Sequence, residues 1–143
     1  TMTTAGKTTI TIEATVNASA EKVWKVWTNT EDITQWNNAS PDWHTTRAEN
    51  DLRPGGKFLS RMEAKDGSMG FDFWGTYTKI VLHEMPEYTL GDDRQVTVEF
   101  IPGDDGVTVR ETFGTESTHS IEQQRQGWQS ILDNFARHVE ATR

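Results

Sequence analysis

Residues 120–139 read SIEQQRQGWQSILDNFARHV, and within them Ile121, Gln124, Trp128, Leu132, Phe135 and Val139 recur three to four positions apart, with Ile131 at the edge of the stripe. That period predicts one long amphipathic helix. Ser120 is its cap, because Gln123 stands at the third helical position and completes a capping-box pattern. On the outer face, Asp133 and Arg137 are spaced as a favourable i,i+4 pair. A helix with a single apolar stripe must bury that stripe against another layer. The chain before it supplies one.

From Thr45 to Phe113 the apolar pattern has period two, broken by turn signals, which predicts consecutive antiparallel strands in meander order. Gly55-Gly56 opens a strand with Phe58, Ser60 and Met62 on one face, and Asp66-Gly67 closes it as a hairpin turn. Phe71, Phe73, Gly75 and Tyr77 share one side of the next, Phe71 to Leu82. Pro86 opens Glu87 to Leu90, Asp92-Asp93 turns into Val96, Val98 and Phe100, and Asp104-Asp105-Gly106 turns into Val107, Val109, Glu111 and Phe113. Nearer the start, Thr8 to Val16 alternates with Ile10, Ile12, Ala14 and Val16 inward. Ser19 then caps a short helix, Ala20 to Trp27, carrying Val23, Trp24 and Trp27. A second, capped within Thr28 to Thr30 with Glu31 placed as in a capping box, ends near Trp36. Asn37 to Trp43 is a loop around Pro41. The expected fold class is therefore α+β, a two-layer domain in which the sheet wraps its apolar face around the C-terminal helix.

The 143 residues match the usual size of one domain, 1–143, with Thr1 to Lys7 expected as a disordered polar tail. Apolar residues are few at 34%, yet they include six Trp and six Phe, and few but large groups suffice for a core. No cysteine is present, which removes disulfides, zinc–thiolate sites and thiol nucleophiles. A net charge of −8 would repel phosphate backbones and anionic lipid surfaces, so no nucleic acid partner is expected. With no signal-like segment at the start and no run long enough to span a bilayer, the expected location is cytoplasmic. The Asn-x-Ser sequons at Asn17 and Asn38 are then coincidental.

No motif announces chemistry. Asp66-Gly67-Ser68-Met69-Gly70 is not a nucleophile elbow, and Gly56-Lys57 lacks the upstream glycine of a phosphate loop, since Asp51 occupies that place. His44, His83, His119 and His138 lie in different elements without ligand spacing, so neither a metal nor a cofactor is expected. The facing of strands and helix instead brings aromatic residues together. Trp36, Trp43, Phe58, Phe73, Tyr88 and Trp128, with Met62 and Leu132, should converge between sheet and helix, either as an ordinary filled core or as the wall of a cavity. Glu111 shares a face with Val109 and Phe113, which makes it either a strand-end group reaching water or a polar contact inside. His44, beside Trp43, is either a surface loop residue or a contact at the cavity mouth.

The order of elements, with Val23-Trp24-Lys25-Val26-Trp27, Ile33-Thr34-Gln35-Trp36, Asp42-Trp43-His44, Asn50-Asp51-Leu52-Arg53-Pro54-Gly55-Gly56-Lys57-Phe58, Asp66-Gly67-Ser68-Met69-Gly70-Phe71-Asp72-Phe73 and Gln126-Gly127-Trp128-Gln129-Ser130-Ile131-Leu132, resembles the bacterial proteins related to the activator of the heat-shock protein 90 ATPase. These belong to the helix-grip (START-like, SRPBCC) superfamily, and the resemblance runs from about Thr8 to Val139. It implies a seven-stranded antiparallel sheet gripping the terminal helix, two short helices after the first strand, and a cavity that in many relatives takes lipids, sterols, polyketides or other aromatic molecules. The expected role is a non-enzymatic binding module for a small hydrophobic ligand. A chaperone-interaction module working through the outer sheet face, and a cyclase or hydrolase in the same cavity, are the alternatives. Trp74 stands where relatives generally carry a polar residue, and with Phe73 inward it should face out as a contact patch.

Overall fold

A computed structural model describes residues 8–142. The expected tail, Thr1 to Lys7, lies outside them. The elements run β1 (Thr9–Val16), α1 (Ala20–Thr28), α2 (Thr30–Trp36), β2 (Trp43–Asn50), β3 (Lys57–Ala64), β4 (Gly70–Val81), β5 (Met85–Leu90), β6 (Gln95–Gly103), β7 (Gly106–Gly114) and α3 (Ile121–Ala141). All seven strands join one antiparallel sheet in the order β1-β7-β6-β5-β4-β3-β2. The meander is closed by β1, which pairs with β7 from Thr9 opposite Gly114 to Val16 opposite Val107. No described helix is long and apolar enough to cross a membrane.

Alternation places Val96, Val98 and Phe100 of β6 and Val107, Val109 and Phe113 of β7 on one buried face, together with Ile10, Ile12 and Val16 of β1. Leu132, Phe135 and Val139 of α3 cover this face. The helix begins with the expected capping box: the Gln123 N–H donates to Ser120 Oγ at 3.1 Å, and the Ser120 N–H donates to Gln123 Oε1 at 3.0 Å. Two local expectations fail. Asp133 Oδ1 accepts from Gln129 Nε2 while Arg137 donates to Asn134 Oδ1, so the expected Asp133–Arg137 pair is replaced by two other partners. Ile121, one position inside the cap, is 42% exposed, because the stripe passes beyond the sheet there.

Two glycines permit the curvature. Gly106 sits at φ 122° in the β6–β7 turn, where a Cβ would strike the Val16 carbonyl oxygen at 2.1 Å. Gly75 lies opposite Phe58, whose ring would meet a Cβ there at 2.8 Å. Register shifts between Thr45 and Arg47 in β2 and between Tyr77 and Lys79 in β4 add bend on the same half of the sheet.

The two short helices are tied down by polar contacts rather than by length. The cap of α2 is Asn29, which accepts from the Glu31 N–H at 3.1 Å, so the box expected from Thr28 is not used; Thr28 Oγ1 instead donates back to the Trp24 carbonyl. Trp36 Nε1 donates to the Val26 carbonyl at 3.0 Å, and Asn134 Nδ2 donates to the Trp36 carbonyl at 2.9 Å. His138 Nε2 meets Asp32 Oδ1 at 2.9 Å. Between them Trp27, Trp36 and Phe135 form a triangle of rings with centroids 4.9–5.1 Å apart. Phe135 is fully buried at its centre, so Phe135→Ala should lower stability by about 3–5 kcal/mol, the range for an aromatic deleted from a packed core. Urea unfolding followed by far-ultraviolet circular dichroism measures this; a loss below about 1 kcal/mol would show that the triangle does not hold α1 and α2 to α3.

Candidate functional site

A cavity of about 580 Å³ opens between the sheet and α3. Phe73 of β4, Tyr88 of β5 and Glu111 of β7 come from the sheet, and Gln124, Trp128, Ile131 and Leu132 from the helix. The side wall is Trp27 of α1, Trp36 of α2, Trp43 of β2 and Met62 of β3. Its depth is marked by Leu132, which is fully buried, and its mouth by Phe71, which is 49% exposed. The volume falls within the ~300–1,000 Å³ of small-molecule sites, and most of the wall is apolar or aromatic.

The rings are braced from behind. Trp128 stacks on Phe113 with centroids 3.9 Å apart and planes within 9°, and meets Phe73 edge-on at 6.0 Å. Tyr88 is held edge-on by Phe58 at 4.7 Å and by Tyr77 at 6.0 Å, while Tyr77 donates its hydroxyl proton to Asn50 Oδ1 at 2.6 Å. On the side wall, Thr45 Oγ1 donates to the Asn37 carbonyl at 2.6 Å and Asn37 Nδ2 donates to Ser60 Oγ at 3.2 Å. These contacts fix the wall without filling the space before it.

Of the ten residues expected at the site, Trp36, Trp43, Met62, Phe73, Tyr88, Glu111, Trp128 and Leu132 line the cavity. Two do not. Phe58 lies flat against Gly75, packed among Phe73, Tyr77 and Tyr88, because the missing Cβ lets its ring drop onto the sheet. His44 belongs to strand β2 rather than to a loop: it pairs with Glu63, between Trp43 and Thr45, and alternation aims it away from the cavity. It therefore cannot act with Glu111 on a shared guest. Trp74 faces outward as expected, 40% exposed, with its ring against Gly91 and the Lys57 ammonium 5.6 Å above it.

Several lining residues had weaker signals in the sequence. Phe71 shares the inward face of β4 with Phe73, so its alternation was visible, and Gln124 stood as the one polar member of the helical stripe. Trp27 reaches the cavity only because α1 folds back over the sheet. Arg94, Glu116 and His119 come from irregular segments with no period to read.

The electrostatics separate mouth from interior. Arg94 Nε donates to Asp92 Oδ2 at 2.8 Å and its Nη1 to the Gly114 carbonyl at 3.3 Å. Glu116 meets His119 Nδ1 at 2.7 Å, and the hydrogen bonds from His119 hold its carboxyl below the usual range. Gln124 accepts from the Glu116 N–H and donates to the Glu116 and His119 carbonyls. Inside, by contrast, the Glu111 carboxyl and the Tyr88 hydroxyl have no hydrogen-bond partner among the described residues, though each is only 6% exposed. Burial pushes the Glu111 carboxyl up to about 8 and raises the Tyr88 phenol well above its ordinary value, with the Glu111 charge as the second cause.

The consequence for stability has a definite sign. A carboxyl whose folded value is raised keeps its proton in the native state while the unfolded chain has lost it, so stability falls as pH rises from about 4.5 to about 8. Glu111→Gln should remove that slope, leaving the variant more stable than the parent at about pH 9 by at most a few kcal/mol. Thermal melts across about pH 5 to 9 check it, and parallel curves for the two proteins would show that Glu111 is not the group responsible.

The profile of the family described as Activator of Hsp90 ATPase homolog 1-like protein matches residues 17–140. An AHSA1-like protein from Aeromonas hydrophila, solved in solution, is 46% identical, with 94% of this chain and 93% of that one covered at a TM-score of 0.89. A Cytophaga hutchinsonii protein is likewise 46% identical over 92% and 91%, at 0.80. A Chromobacterium violaceum protein shares the fold at 23% identity, over 94% and 99%, at 0.85. No curated protein matches the chain.

Proposed function

For this member of the Activator of Hsp90 ATPase homolog 1-like family, we propose a non-enzymatic binding role, in which the space between sheet and α3 holds one small hydrophobic or aromatic molecule. One observation carries the reading: a 580 Å³ cavity walled by Trp27, Trp36, Trp43, Phe73, Tyr88 and Trp128. A protein of this size gains stability by filling such space, because every unfilled void forfeits dispersion contacts along its lining. Keeping it open while bracing the rings from behind is what a ligand site requires. Burying a flat aromatic guest there contributes about 25 cal/mol for each Å² removed from water. It also leaves Glu111 and Tyr88 to orient the guest.

Catalysis has less support. General acid–base work needs two groups within reach of one substrate atom, and the outward facing of His44 keeps it from sharing one with Glu111. Chaperone contact through the outer face is the second reading, and the exposed Trp74 is the feature that favours it. It predicts that Trp74→Ala abolishes capture by the bacterial heat-shock protein 90 homologue while leaving small-molecule binding intact.

Because four tryptophans line the cavity, occupancy should quench intrinsic fluorescence. Solvent extraction of purified protein with mass spectrometry should release a co-purifying apolar molecule, and titration with a hydrophobic library should give saturable quenching. Leu132→Trp, which puts an indole into the space, should weaken binding at least tenfold. Absence of both a co-purifying molecule and saturable quenching would refute the binding role.

A further inference from the structure

Resting on that reading, we infer that occupancy of the cavity is coupled to a proton on Glu111: a neutral guest enters only while this carboxyl is protonated, and loss of the proton expels it. The coupling follows from shared space. Glu111 is only 6% exposed and has no hydrogen-bond partner, yet no fully buried polar side-chain atom among the described residues lacks one, so its oxygens touch the open volume of the cavity. Water entering that volume is what can solvate the ionised form. A guest takes the same volume, and a carboxylate left there without water or a counter-charge costs far more than a carboxylic acid.

No group on the walls takes over from water. The cross-strand partners of Glu111 are Ile12 on β1 and Val98 on β6, while Glu13, Glu99 and Arg110 alternate to the outer face and pair there. The helices α1 and α2 and the strands β2, β3 and β4 bring no titratable group to the lining. The polar residues that α3 adds are already bonded, Gln123 in the capping box and Gln124 to Glu116 and His119. What remains is Tyr88 on β5 and, at the mouth, Arg94 paired with Asp92 and Glu116 paired with His119.

The sign of the coupling follows. Burial alone raises the Glu111 carboxyl to about 8, with no neighbouring charge among the causes. Tyr88 is raised well above its ordinary value, so it stays a neutral phenol over the range in which Glu111 titrates. Displacing the remaining water makes the ionised carboxyl costlier still, so a bound guest lifts Glu111 further. By linkage, affinity then falls as pH rises through about 8; below that value the carboxyl is already neutral and binding moves no proton. The aromatic wall thus holds its guest at neutral and acidic pH and releases it in alkali.

The probe is 2-phenylnaphthalene, a neutral hydrocarbon that neither titrates nor hydrogen-bonds, titrated by tryptophan quenching into the whole protein. Its affinity should be about tenfold weaker at about pH 9 than at about pH 6, one decade for each pH unit above the Glu111 value. At about pH 8.5, difference infrared spectra should show a protonated-carboxyl band that grows as the probe is added. Glu111→Gln should lack that band and bind with an affinity that no longer falls above about pH 8. The wild-type titration and spectra need no variant to fold. Equal affinity at about pH 6 and about pH 9, with no growth of the band, overturns the coupling while leaving the cavity as a binding site. So does a fall in affinity that persists in Glu111→Gln, because it then belongs to another group. Failure of the probe to bind at about pH 6 overturns both.

Discussion

A helix about 10 Å across lies against a sheet of seven strands spaced about 4.8 Å apart, and so cannot cover it. In this protein α3 settles over β1, and its Phe135 and Val139 join one buried cluster with the valines of β6 and β7. Over the opposite half of the concave face, made by β3, β4 and β5, α3 reaches across the cavity through side chains such as Trp128, which meets Phe73. The curl of the sheet and the two short helices close that half from the side. Cavity and core are thus two consequences of one mismatch in width.

The remaining features maintain that asymmetry. The ring triangle of Trp27, Trp36 and Phe135 clamps α1 and α2 to α3 at the border between core and cavity. On the open side, rings are supported from outside the space they border: Trp128 by Phe113, and Tyr88 by Phe58 and Tyr77. Gly75 contributes by absence, since its missing Cβ lets Phe58 lie down behind Tyr88 instead of projecting into the cavity. Polar groups at the mouth satisfy one another, whereas Glu111 and Tyr88 inside remain unbonded. Burial of polar groups without partners costs stability. Both groups escape that cost by opening onto the cavity, since among the described residues no fully buried side-chain polar atom lacks a partner.

Alternation and helical period could be read directly because they record which face of each element meets the interior. On that basis Phe73, Tyr88 and Glu111 were correctly aimed inward from the sheet, and Trp128 and Leu132 from the helix. Period is silent where facing depends on something else. His44 follows a loop-like stretch around Pro41, but the strand begins one residue before it, at Trp43, and that placement turns it outward. Phe58 faces inward as its alternation requires, yet sits too low to reach the cavity, because its position depends on a glycine in the neighbouring strand. Trp27 had the right spacing for a core residue, and only the path of α1 over the sheet makes it part of a wall.

The sequence by itself determined the α+β class, the meander of strands, the terminal helix with its Ser120 cap, and the inward aim of a carboxyl in an aromatic setting, since each follows from local spacing and side-chain chemistry. The tertiary structure alone decided that the aromatic residues surround a space instead of interlocking. Whether rings fill a volume depends on distances between elements far apart in the chain. Those distances are set by sheet curvature, by the register of β3 on β4, and by where one helix comes to rest on a sheet too wide for it.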